Sequence, residues 1–313
     1  KRALDDGGLT LFKTLVSPVF FSTDPETGKL VQGVQHVPVG KPGKPVLLIG
    51  NHQLWASDMP LMISELLFER RVLVRGLAHP FALNNSPVEG ASGQEGGQQG
   101  ATAANPFGAF LSTFGGVPVS AFSLHKLLSL GETVLLYPGG AREAFKFRDE
   151  KYQLIWPDRA EFVRMATRMG ATIVPFSAIG AEDTINQVLD GRDILNLPLV
   201  GDWFRAQAAK VPQARKGVSE NEKTMDSFIQ PLISLNAPQR YYFSFSKPIE
   251  TLPSMTADRV ACDALYQEVR GSCREGIEYL LRRRAEDPFG DLLTRLVYEQ
   301  SRGGKQQAPT FIP

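Results

Sequence analysis

Apolar residues recur with two distinct periods along the chain, and their alternation predicts a layered architecture. Leu9, Phe12, Leu15, Val16 and Val19 fall at helical spacing, which predicts a short amphipathic helix. It is read as docking on the core in preference to anchoring at a membrane surface. PVLLIG at 45–50 is a continuous apolar run between turn formers, the pattern of a buried central strand. DMPLMISELLFER follows, with apolar residues at 59, 62, 63, 66 and 67 on one helical face and Asp58 placed to cap it. RVLVR (71–75) is a strand candidate.

Residues 84–105 are Gly-, Ser-, Gln- and Ala-rich with little to bury, and are read as a flexible surface insertion. Beyond them the pattern predicts a Gly-rich turn and short strand in FGGVPVS (114–120), then a helix near 124–130. A strand TVLLY (133–137), a helix 161–169 stopped by Gly170, and a strand ATIVPFSAI (171–179) come next. Pro175 inside that last strand marks an edge, a bulge or a site opening, because proline cannot donate to a ladder. A strand at 241–245 and a helix 258–285 follow. Asp287-Pro288 reads as the cap and first residue of a last helix, and 301–313 as a frayed tail. Strands alternating with helices predict a single α/β domain over 1–313, with a mostly parallel central sheet flanked by helices.

Composition adds bounds. The 313 residues carry 34 Lys+Arg against 33 Asp+Glu. No global field draws in nucleic acid, so none is expected as a partner. Cys262 and Cys273 lie about 16 Å apart on one face of the predicted helix, too far to pair, and are read as reduced thiols. They fit no zinc spacing, and His36, His79 and His125 have no partners at metal spacing, so no metal is expected. No run of about 18 uncharged apolar residues predicts a membrane span. The chain opens on Lys1 rather than Met, which reads as a processed or trimmed product.

Two stretches carry candidate chemistry. In NHQLWASD (51–58), His52 stands just past the end of a buried strand, with Asp58 at the start of the next helix. An imidazole there suits a general base near neutral pH, and the carboxylate suits its orientation. A turn in which Asp58 is only a cap and His52 is incidental fits the same spacing. In YPGGARE (137–143), Gly139 and Gly140 permit close approach of backbone amides to a ligand oxygen, and Arg142 offers a fork of donors. A plain strand-to-helix turn, with Arg142 in a surface pair with Glu143 or Asp149, fits equally. Lys146, Arg148 and Lys151 form a basic cluster, read as a solvated face in preference to one that steers an acidic carrier. No G-x-S-x-G elbow, P-loop or dinucleotide fingerprint is present.

The order of these pieces is specific. GNHQLWASD, FGGVPVSAFSLHKLL, VLLYPGGAREAF and EFVRMATRMGATIVPFSAIG together resemble the acyltransferase region of the phytyl ester synthases. These belong with the type-2 diacylglycerol acyltransferase-like enzymes, and more distantly with lysophosphatidate acyltransferases. PVFFSTDPETGKLVQG, YQLIWPD (152–158) and RRRAEDPFGDLLTRLVYE extend the resemblance from about Leu9 to Glu299. It implies acyl transfer from acyl-CoA, an acyl carrier protein or a plastid lipid to phytol or diacylglycerol, at a thylakoid or plastoglobule surface of the chloroplast. No cofactor is expected beyond the thioester co-substrate. His52 would be the base, with Asp58 its orienter; Gly139, Gly140, Arg142 and Glu143 would bind substrate. The sequence departs from the phosphate-handling relatives in two places. Ser57 stands where they carry the acid five residues after the histidine, and Gly139 stands where they carry Glu, which points to a neutral acceptor. Phytyl ester synthases also carry a hydrolase-like region ahead of this part, which this chain does not contain. A rival reading keeps the fold as a non-catalytic subunit of a plastid membrane complex; another is acylation of lysophosphatidate.

Overall fold

The computed structural model describes residues 7–83, 111, 114–159, 161–198, 201–208, 229–304 and 306–313. The insertion read at 84–105 falls, but for 84's neighbours before it, outside the described residues.

A nine-stranded sheet organises these residues, in the order β2 (Leu30–Gln32), β1 (Val19–Thr23), β10 (Tyr242–Phe245), β7 (Thr172–Ile179), β3 (Val46–Gly50), β6 (Thr133–Leu136), β4 (Arg75–Ala78) and β5 (Val117–Pro118), with β11 (Ile249–Glu250) also paired to β7. From β7 to β5 all neighbours are parallel; β10 and β11 run antiparallel to β7. A mostly parallel sheet flanked by helices is therefore present, as the alternation predicts.

Every residue of β3 is buried. Its side chains alternate between layers, as strand geometry dictates. Val46 and Leu48 join the core beneath helices Gly7–Val16 and Met59–Glu69. Leu47 and Ile49 join the opposite core, under helices Ala121–Ser129, Glu161–Arg168 and Arg259–Arg284. Cys262 and Cys273 are buried in the last of these, both unpaired as thiols. Pro175 sits where β7 changes partner: Phe176 pairs with β10, Ile173 with β11, and the Pro175 carbonyl accepts from Ser246 N between them. The proline occupies a ladder irregularity in which its missing N–H leaves no gap.

Several boundaries differ from the sequence reading. The first helix ends at Val16. Pro18 removes a donor and restricts its predecessor; Ser17 takes φ 38°, and Val19 starts β1 instead of closing the helix. RVLVR is not a strand: Arg71 has φ 57°, and pairing begins only at Arg75 opposite Val134. The last helix is Leu292–Ser301, capped by Asp291, whose side chain accepts from Thr294 N. Asp287 is instead a fully buried counter-ion of Arg240, 3.1 Å away. The tail is packed, not frayed. Arg240 donates to the carbonyls of Ala308 (2.6 Å) and Pro309 (2.7 Å), and Phe311 stacks on Phe21.

Candidate active site

His52 is placed by its two neighbours. Gly50 ends β3 against the ring of Phe176, where a Cβ would lie 2.4 Å from ring carbon, so only glycine fits. Asn51 then clamps the end of β7, its Oδ1 accepting from Ala178 N (2.8 Å) and its Nδ2 donating to Ala178 O (2.9 Å). Gln53 does the same one step on, its Oε1 accepting from Ala181 N at 2.9 Å. Asn51 and Gln53 are both fully buried. Extended backbone sends alternate side chains to opposite sides, so His52 between them faces a cavity. The turn that follows holds Trp55 and Ala56 at φ 58° and 52°. Two consecutive non-glycine residues in the left-handed region cost about 1–3 kcal/mol each, a strain typical of functional loops.

The imidazole's orientation comes from the main chain. Nδ1 lies 2.9 Å from the Gln53 carbonyl. A carbonyl only accepts, so Nδ1 carries the hydrogen and Nε2 keeps its lone pair. Burial, with a further contribution from the Lys146 ammonium, pulls the ring down to about pKa 4 against the opposing effect of the Gln53 bond. The ring is neutral at pH 7, the state a base requires.

Asp58 performs neither task the sequence suggested. Its side chain makes no cap bond, and both carboxylate oxygens are buried without a hydrogen-bond partner among the described residues. Burial pushes its carboxyl up to about 7, with Glu182 and Glu143 adding to the rise. The orienting acceptor is the Gln53 carbonyl, which carries no side-chain signature in a sequence.

The glycine loop follows the neighbouring strand, so parallel pairing of β3 and β6 brings it to His52. Tyr137 packs its ring 4.4 Å from the imidazole. Gly140 has φ 53°, a conformation glycine adopts freely. Gly139 is needed for a different reason: a Cβ there would lie 2.4 Å from the Glu143 carboxylate. Glu143, read as substrate-binding, is fully buried beneath the loop. It accepts from His52 N (3.1 Å), Trp156 Nε1 (3.2 Å) and Ile155 N (3.4 Å). Arg142 pairs with Glu150 and stacks on Phe147, while its Nη1 is buried without a partner among the described residues. Neither Glu143 nor Asp149 is its partner. Lys146, read as part of a solvated basic face, is buried in an ion pair with Glu182 at 2.7 Å. Arg148 and Lys151 do remain at the surface, paired with Asp193 and Asp183.

His52, Gly139, Gly140 and Arg142 all line one cavity of about 830 Å³ at the carboxyl ends of the parallel strands, where open α/β sheets bind ligands. Its walls are chiefly apolar, running from Phe12 and Met59 on one face of the sheet to Leu124, Phe162 and Met165 on the other. Within residues 184–239, Leu195, Leu197, Trp203 and Phe204 stay outside the lining. The same region's hairpin β8 (Ile185–Leu189) and β9 (Leu232–Leu235) supplies Ile185, Ile233 and Leu235 instead. Among the described residues, five of the ten buried polar side-chain atoms without partners belong to Gln53, Asp58, Tyr137 and Arg142. Such atoms are rare in folded proteins, and their concentration here marks the site. The arrangement joins a neutral imidazole, a guanidinium nitrogen without a partner among the described residues, and room for hydrocarbon. No group of His, Cys, Asp and Glu among the described residues is arranged to hold a metal ion.

Residues 106–210, which hold the glycine loop and β7, match the diacylglycerol acyltransferase family model. Phytyl ester synthases 1 and 2 of Arabidopsis thaliana, both chloroplastic, are 38% and 35% identical to the chain across 99% of it. The chain spans 42% of the length of each. A mouse diacylglycerol O-acyltransferase 2-like protein 6 is 37% identical over 81 residues, a quarter of the chain and of that protein. No solved structure matches. Residues 106–210 therefore belong to the diacylglycerol acyltransferase family, within the part that the chain shares with the phytyl ester synthases.

Proposed function

We propose that the chain transfers a fatty acyl group from a thioester, acyl-CoA or acyl carrier protein, to a neutral lipid alcohol such as phytol or diacylglycerol. His52 Nε2 accepts the hydroxyl proton as the alcohol oxygen attacks the thioester carbonyl. The Gly139 amide and the Nη1 of Arg142 stabilise the resulting oxyanion, a contribution often worth a few kcal/mol, while the Gly140 N–H is held by the Tyr137 carbonyl at 3.1 Å. The carbon–sulfur bond then breaks, and the imidazolium returns its proton to the departing thiolate. Ester and thiol leave, and His52 is neutral again.

One observation carries this reading: a neutral imidazole and a glycine turn open into the same large apolar cavity. The names of the relatives support a lipid alcohol as acceptor and a plastid setting. A neutral acceptor is favoured because the cavity walls are chiefly apolar. No helix among the described residues is long and apolar enough to cross a membrane, and contact with the thylakoid or plastoglobule surface is proposed to be peripheral.

The test is a lipid-product profile of the purified protein given acyl thioester with phytol or diacylglycerol, and with phosphorylated acceptors in competition. His52→Ala should lower turnover on the order of 10³-fold, the usual scale for losing a general base. Equal product from both proteins would end the mechanism.

A further inference from the structure

Glu143 is the point at which three separate segments of the site meet. Its Oε2 accepts from the backbone N–H of His52 and from the Trp156 indole, and its Oε1 from the N–H of Ile155. Ile155 lines the cavity on the far side of the loop. The other restraints on the histidine loop, Asn51 to Ala178 and Gln53 to Ala181, both pull toward β7. Glu143 supplies a restraint that comes instead from the element after β6. Without it the loop's side-chain hydrogen bonds would all run to Ala178 and Ala181, and ring packing on Tyr137 would hold it from the β6 side, leaving the peptide before His52 free to turn. Gly139 shows how closely this contact is fitted, since even a methyl group there would strike the carboxylate.

Burying the carboxylate is costly. It is pushed up to about 7 by its surroundings, chiefly by desolvation. Charge near the base is already supplied by Asp58, Lys146 and Glu182, all buried in the same region. What only Glu143 provides is an acceptor at the right reach for His52 N.

We propose that Glu143 is a positioning residue for His52: by accepting the His52 N–H it fixes that peptide so that the ring's Nδ1–H meets the Gln53 carbonyl and Nε2 is presented to the cavity. It acts by reach and not by charge, and it does not touch substrate. This rests on the reading of His52 as the base.

Two substitutions separate reach from charge. Glu143→Gln keeps an oxygen at the same distance from His52 N and removes the charge, its NH2 turned toward Ile155 N in place of the longest of the three bonds, 3.4 Å. Glu143→Asp keeps the charge and withdraws the acceptor by roughly 1.5 Å, one carbon–carbon bond. With acyl thioester and a neutral alcohol as probes, Glu143→Gln should keep kcat within about fivefold. Glu143→Asp should lose about 100-fold in kcat at a KM within about twofold, the scale of an ångström's misplacement of a reacting group. Nitrogen-15 spectra of the histidine rings, assigned with His52→Ala, give a readout independent of turnover. The Nδ1–H form of His52 should persist in Glu143→Gln and give way to a mixture in Glu143→Asp. Turnover of Glu143→Asp equal to or above that of Glu143→Gln overturns the proposal, as does an unchanged ring form in Glu143→Asp. Glu143→Gln also decides alone, because a 100-fold loss in that near-isosteric variant would mean that charge was the requirement. Full activity in His52→Ala would instead defeat the base mechanism, leaving the ring spectra to judge positioning on their own.

Discussion

Asp58 and His52 are neighbours whose burial drives their ionisation in opposite directions. Asp58, ordinarily near 3.8, is raised to about 7. Between those values the folded state keeps a proton that the unfolded chain has released, so this group's contribution to stability falls as pH rises from about 4 to 7. His52, ordinarily near 6.5, is lowered to about 4. There the unfolded chain binds the extra proton, so stability is lost as pH falls through that window. Asp58→Asn removes the first effect and leaves the second. The variant's stability relative to the parent should improve by about 2–3 kcal/mol between pH 5 and pH 8, below the full value of the shift because pH 5 already lies above the carboxyl's ordinary value. Urea unfolding at the two pH values measures this. A relative stability that does not change with pH would mean that the carboxylate is solvated or paired in solution.

At the scale of elements, the C-terminal tail shows what patterning reveals and what it leaves hidden. Residues 308–311 dock on the sheet edge through Ala308, Phe311 and the carbonyls held by Arg240. Phe311→Ala should cost about 3 kcal/mol, as for other buried Phe deletions, and thermal melting would show it. A shift within error would return the tail to the frayed state its composition suggests. The tail is Gly-, Gln- and Pro-rich, and one aromatic anchor in such a stretch makes no period. β3, β6, β7 and the helix Arg259–Arg284 were legible because each buries several residues at its own period. β1, β2 and the β8–β9 hairpin were not. β1 follows a helix after only two residues, and β8 meets a partner more than 40 residues away. In the site, His52, Gly139, Gly140 and Arg142 were legible from residue type and order. The Gln53 carbonyl was not, because every residue has one. The burial of Glu143 and Lys146 was hidden as well, since a charge in sequence looks solvated until its partner, here His52 N or Glu182, is brought in by the fold.

For the whole molecule, the proposed function raises the question of how a water-insoluble alcohol would reach a cavity inside a protein with a formal net charge of only +1. Phe122 follows Ala121 of the cavity lining and is 74% exposed; Leu235 belongs to the lining and is also 74% exposed. On the proposed function, these large apolar side chains beside an apolar cavity would enter a lipid surface, and substrate would pass from lipid to protein without crossing water. Full burial of each contributes about 1.5–3 kcal/mol, and a charge in their place opposes insertion. The near-neutral balance provides no long-range attraction to make up the loss. Phe122→Asp with Leu235→Asp should therefore lower co-sedimentation with neutral galactolipid vesicles at least tenfold, at low and at high salt alike. Turnover of short-chain, soluble alcohols should stay within about twofold, because neither change touches the proposed base. Unchanged vesicle binding would place the lipid-facing surface elsewhere on the molecule. Binding lost together with turnover of soluble alcohols would instead make these two side chains part of the substrate site itself.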